Sequence, residues 1–95
     1  MTKNFYTLYW GGITMVLNIT QKNVLRALIQ NKDKWMGVED IYKSCLKTKH
    51  KVNRSNISRT IIFLVDNNLI TNPNSQGKVK ITEGGIDVFA ENTKK

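Results

Sequence analysis

The chain has 95 residues, 40% of them apolar, and carries 15 Lys and Arg against 7 Asp and Glu, a formal net charge of +8. A length of this order supplies one domain with one small core and is short for an enzyme built around a buried cleft. The single cysteine, Cys45, excludes an intramolecular disulfide and a thiolate metal cluster within one chain, and a reducing compartment fits.

The first 18 residues read as an apolar and aromatic extension. Its stretch from Phe5 to Ile19 is interrupted by Thr7, Gly11, Gly12, Thr14 and Asn18 and is shorter than the about 20 residues a membrane span needs. Neither a spanning helix nor a secretory signal is expected, since the segment runs through Asn18-Ile19-Thr20 into a helix start. Aromatic residues at this density mark an interface, so Phe5, Tyr6, Tyr9 and Trp10 are expected at a dimer contact.

Four places then repeat one pattern, an apolar residue beside a capping residue with a second apolar residue one turn on: Ile19-Thr20 with Val24, Met36-Gly37 with Ile41, Val52-Asn53 with Ile57, and Ile81-Thr82 with Ile86. A capping oxygen accepts a bond from an orphan amide of the first turn, and the flanking apolar pair fixes the angle at which the chain enters. Four helix starts are therefore expected. The first helix, about 21–31, turns Val24, Leu25, Leu28 and Ile29 inward. The second begins near Val38, with Glu39 and Asp40 where negative charge suits the helix dipole, and buries Ile41, Tyr42, Cys45 and Leu46. Cys45 reads as a small buried hydrophobe.

A turn over 48–52 leads to the third helix, 53–68, with Ile57, Ile61 and Leu64 inward and Ser55 and Arg59 outward. Asn68 stands where helices end in a left-handed residue, Asn being the usual second choice after Gly. Leu69-Ile70 reads as the start of a strand, 73–77 as a turn, and Lys78-Val79-Lys80-Ile81 as an alternating, half-buried strand, giving a β-hairpin. Thr82 caps a short last helix with Ile86, Phe89 and Ala90 inward, before the polar stretch from Glu91 to Lys95 frays.

Charge is unevenly distributed along this plan. No acidic residue lies between Asp40 and Asp66, an interval holding Lys43, Lys47, Lys49, Lys51, Arg54 and Arg59. Such a cluster is the electrostatic footprint of a polyanion partner.

The runs 57–61 (ISRTI), 64–70 (LVDNNLI) and 81–85 (ITEGG), in this order of elements, resemble winged helix-turn-helix transcriptional regulators of the MarR/PadR type and their small archaeal and viral relatives. The resemblance implies an α+β, mostly helical fold: a three-helix core, a two-stranded β-hairpin wing and a short C-terminal helix. The DNA-binding domain would span 19–92, with 93–95 as a polar tail. The long flanking dimerisation helices of the MarR type are missing here.

By that resemblance the third helix enters the major groove of double-stranded DNA with its N-terminal half toward the bases. Arg54, Ser55, Asn56, Ser58 and Arg59 are the base-reading candidates, because forked guanidinium donors suit guanine and the Asn amide suits adenine. Lys47, Lys49, His50, Lys51 and Thr60 are expected at phosphates, and Gln76, Lys78 and Lys80 of the wing 73–80 at an adjacent groove or the backbone. Ile62 and Phe63, placed outward, join the aromatic extension as dimer contacts. The function implied is a sequence-specific regulator acting as a repressor, homodimeric, cytoplasmic and nucleoid-associated, with no enzyme activity, cofactor or metal. The alternatives are a winged-helix protein-interaction module and a nonspecific nucleic-acid or chromatin-binding protein.

Overall fold

Four capping signals become four helices, α1 (Ile19–Gln30), α2 (Val38–Cys45), α3 (Arg54–Asp66) and α4 (Glu83–Thr93), in a computed structural model that describes residues 15–93. Three of the caps are those expected. Asp40 Oδ2 accepts from the Gly37 amide at 3.1 Å, Asn53 Oδ1 from the Asn56 amide at 2.8 Å, and Thr82 Oγ1 from the Gly85 amide at 3.0 Å. The first cap is Asn18 rather than Thr20: its Oδ1 accepts from the Gln21 amide at 2.8 Å while Gln21 Oε1 accepts from the Asn18 amide at 2.9 Å. A reciprocal box needs a long polar side chain three residues on, which Gln21 provides for Asn18, whereas Thr20 has only the shorter Asn23.

Helix α1 packs against each of the other three helices, and its Val24, Leu25 and Leu28 are wholly buried. Around them close Leu17, Ile41, Cys45, Ile57, Leu64, Leu69, Ile70 and Val79, with Ile29, Ile61, Ile86 and Phe89 partly covered at the margin. Burying each large aliphatic side chain contributes about 1.5–3 kcal/mol. Two expected core residues are outside: Leu46 is 56% exposed and Ala90 is exposed, while Val88 packs on the core instead. Leu46 turns outward because the chain tightens there, with Lys47 and Thr48 amides donating to the Ser44 and Cys45 carbonyls at 3.2 and 3.0 Å.

Asn68, at φ 62°, ends α3 as its sequence position implied. The Leu69 amide donates to the Leu64 carbonyl at 2.9 Å and the Asn68 amide to the Val65 carbonyl at 3.0 Å, the paired bonds of a Schellman motif, with Leu69 and Leu64 both buried.

The β-hairpin wing is not formed. Among the described residues there are four helices and no strand, so the fold is all-α, and extended pairing is limited to two isolated antiparallel bridges, Ile70–Ile81 and Met36–Val79. Across the turn the Thr71 amide donates to the Lys80 carbonyl at 2.9 Å, but two local competitors stop the ladder there. The Lys80 amide donates to the Thr71 hydroxyl at 3.0 Å rather than to its carbonyl. Asn74 Oδ1 takes the Gln76 and Lys78 amides at 2.9 and 3.0 Å. Val79 points its backbone the other way and exchanges both bonds with Met36, at 2.9 Å each, and Pro73 has no N–H with which to extend pairing before the turn. Residues 71–80 are therefore a loop, its tip turned by Gly77 at φ +75°.

The last helix also reaches the start of the domain. Asn92 Oδ1 accepts from the Leu17 amide at 2.8 Å and its Nδ2 donates to the Met15 and Val88 carbonyls at 2.8 and 2.9 Å. Helix α4 thus runs to Thr93 instead of fraying from Glu91, and Leu17, expected in the extension, belongs to the core.

Gly85 lies against the chain leaving α3: a Cβ there would stand 2.0 Å from the Leu69 carbonyl oxygen and 2.7 Å from Ile81 Cδ1. At Gly84 the nearest atom would be 3.5 Å away. Gly85→Ala is therefore expected to lower stability by about 1–3 kcal/mol, and Gly84→Ala to be neutral or stabilising, as measured by urea denaturation.

Candidate nucleic-acid interface

Helix α3, 13 residues long, presents Ser55, Arg59, Ile62 and Asp66 as one exposed stripe at spacings of four, three and four. Its first two turns are polar and basic. Its last two end in Ile62, 61% exposed, and the acidic Asp66. Asn56 and Ser58 flank the stripe and are half-buried. Thr60 and Phe63 are placed otherwise than expected. Thr60 is buried and beyond reach of a phosphate, and Phe63 packs against the core, because positions 57, 60 and 64 form the inward face and 63 borders it.

Lys47, Lys49, His50 and Lys51 are all exposed in the connection between α2 and α3. The connection is tied down at two points: the Thr48 hydroxyl donates to the Cys45 carbonyl at 2.8 Å, and His50 Nε2 lies 3.3 Å from Thr20 Oγ1 on the first turn of α1. The cations of this turn and the exposed stripe of α3 thus belong to adjoining segments of the α2–α3 unit.

The two arginines of α3 differ in their partners. Arg54 is gripped by Glu39 of α2, with Nε bonded to Oε2 and Nη2 to Oε1 at 3.1 Å, and its guanidinium lies 4.2 Å from the centre of the Tyr42 ring. Arg59 bonds through Nη2 to the neutral amide oxygen of Asn56, one turn back. Among the described residues Arg54–Glu39 is the one ion pair, so Lys47, Lys49, Lys51 and Arg59 face outward without a carboxylate partner.

On the 71–80 loop, Gln76 is exposed at the tip, while Lys78 and Lys80 are half-buried. Lys80 Nζ stands 5.0 Å from the centre of the Trp35 ring, a cation–π contact that draws this charge toward the α1–α2 link. The loop therefore presents fewer free cations than its sequence implies.

Two titrating groups are perturbed in ways that bear on chemistry. The Arg54 bond holds the Glu39 carboxyl below its usual range against desolvation, with the Arg54 and Lys43 charges acting in the same direction as the bond. Burial pushes the Cys45 thiol up, partly offset by the Arg26 charge, which keeps it protonated and unsuited to nucleophilic work. Among the described residues no group of three or more His, Cys, Asp or Glu side chains could hold a metal ion, and no helix is long and apolar enough to cross a membrane.

Glu39 and Tyr42 are the residues of this surface that sequence reasoning missed. Position places Glu39 at the helix dipole and Tyr42 at the core, on which it does pack, and nothing local signals a partner for Glu39 15 residues further along. Comparison with protein-family models, curated proteins and solved structures gives no match.

The Glu39 shift sets a pH dependence. A carboxylate whose folded pKa is depressed adds stability above its unfolded value, about 4.3 for Glu, and loses it as pH falls through the lower folded value. Thermal melts taken from neutral pH down through that range should show wild type losing more of its melting temperature than Glu39→Gln. Parallel acid limbs would show that the pair contributes nothing to stability.

Proposed function

We propose that this chain is a double-stranded-DNA-binding transcriptional regulator that acts as a repressor, by occupancy, with the first two turns of α3 in the major groove. The observation that carries the reading is the set of exposed cations without carboxylate partners, Lys47, Lys49, Lys51 and Arg59, beside the polar start of α3. A polyanion supplies the missing counter-charge, and ammonium groups on a turn next to an inserted helix set its register by phosphate contacts. The positive end of the α3 dipole adds to the same potential.

In this reading Ser55 and Arg59 meet base edges, with Asn56 and Ser58 at the flanks, and Lys47, Lys49, His50 and Lys51 bind the backbone. Gln76 at the tip of the 71–80 loop is its nearest candidate for a further contact. Arg54 is left out of the base-reading set, since its charge and two of its donors are committed to Glu39. The protein is a binding protein rather than an enzyme and works in the cytoplasm on the nucleoid.

Duplexes selected from a random pool supply the cognate site for the test. Lys49→Ala should weaken cognate and random duplexes alike and reduce the salt slope by about 0.9. Arg59→Ala should cost about 1–3 kcal/mol at the cognate site alone. Equal loss on both duplexes would remove Arg59 from base reading, and salt-insensitive association with protein instead of DNA would favour a docking module.

A homodimer belongs to the same proposal, because two-fold proteins match palindromic half-sites and Ile62 leaves an apolar side chain 61% exposed beside Arg59. The aromatic contacts assigned to Phe5, Tyr6, Tyr9 and Trp10 lie outside the described residues. Deleting residues 2–13 should halve the sedimentation mass, and an unchanged mass would separate that segment from self-association.

A further inference from the structure

The Arg54–Glu39 pair sits at the edge of the cationic surface, yet both side chains are 58% exposed, so it is not part of the core. Two of the Arg54 donors and both Glu39 oxygens are used within the pair, and Tyr42 lies under the guanidinium. Arg59 differs: its partner is the neutral Asn56, which can release it without leaving a charge behind. A phosphate approaching Arg54 must displace a carboxylate, exchanging one anion for another with little gain, and would then face the freed Glu39 oxygens at close range. Arg54 is held by its own counter-ion at the place where a generic polyanion would otherwise use it.

We propose that Glu39 is an autoinhibitory counter-ion that withholds Arg54 from phosphate contacts, so that generic polyanion binding rests on Lys47, Lys49 and Lys51. This rests on the reading of the α3 surface as a DNA interface, and its consequence is distinct from it. Affinity is lowered on every sequence by the same factor and the contacts that Arg59 and Ser55 make to bases are untouched, so the ratio of cognate to random binding is unchanged while nonspecific occupancy falls.

The experiment compares wild type, Glu39→Gln, Arg54→Ala and the double variant Glu39→Gln with Arg54→Ala on two probes, immobilised heparin and a random duplex. All four should remain folded by circular dichroism, since the substituted side chains lie outside the core. Glu39→Gln is expected to elute from heparin at higher salt. It should bind the random duplex about five- to tenfold more tightly near 0.1 M salt, as one added phosphate contact contributes a slope of about −0.9. The double variant should behave as Arg54→Ala does on both probes, because Glu39 then has no cation to withhold. A Glu39→Gln protein no tighter on heparin than wild type overturns the proposal, as does a gain that survives loss of Arg54, which would make Glu39 one more surface charge. A wild type that binds heparin but no duplex would sink the DNA reading, while the heparin order would still decide whether Glu39 withholds Arg54.

Discussion

Burial of helix α1 on three sides is the constraint on which the remaining structure depends. Val24, Leu25 and Leu28 reach zero exposure because α2, α3 and α4 each give a face to α1. For α3 this commits Ile57, Thr60 and Leu64 inward and leaves Ser55 and Arg59 on the far side. The polar stripe of α3 is thus the geometric remainder of the apolar one, and its orientation follows from packing before any ligand is considered.

The connections then fix where the charges fall. Gly37 and Asn53 start α2 and α3, and the tightened end of α2 turns Leu46 and Lys47 outward. Lys49, His50 and Lys51 follow in a turn that Thr48 and Thr20 hold in place. Electrostatics does not build this turn, which owes its shape to caps and hydroxyl bonds.

How far the sequence foretold this differs by element, for physical reasons. The helices were legible because caps and periodic apolar residues act within one or two turns: Asn53, Asn68 and Thr82 each perform the local role that their positions implied. The hairpin was misread because a strand exists only through its partner. The alternation of Lys78-Val79-Lys80-Ile81 is real, with Val79 and Ile81 buried, and Ile81 does meet Ile70, but Val79 pairs with Met36 on a different segment and no ladder extends from the single bridge. The candidate surface was legible as charge and not as pairing. Lys49 and Arg59 stand where periodicity put them, while the grip of Glu39 on Arg54 and of Trp35 on Lys80 joins residues that no local spacing connects.

Asn92 also has a mechanical meaning. One side-chain amide bonds the backbone at Met15 and Leu17 on one side and Val88 on the other, so the opening segment of the domain and the last turn of α4 are stapled together. Peeling residues 15–17 away costs Asn92 two of its three backbone bonds and leaves it only the one to Val88 in its own helix, so the segment before α1 and the C-terminal part of α4 share one fastening.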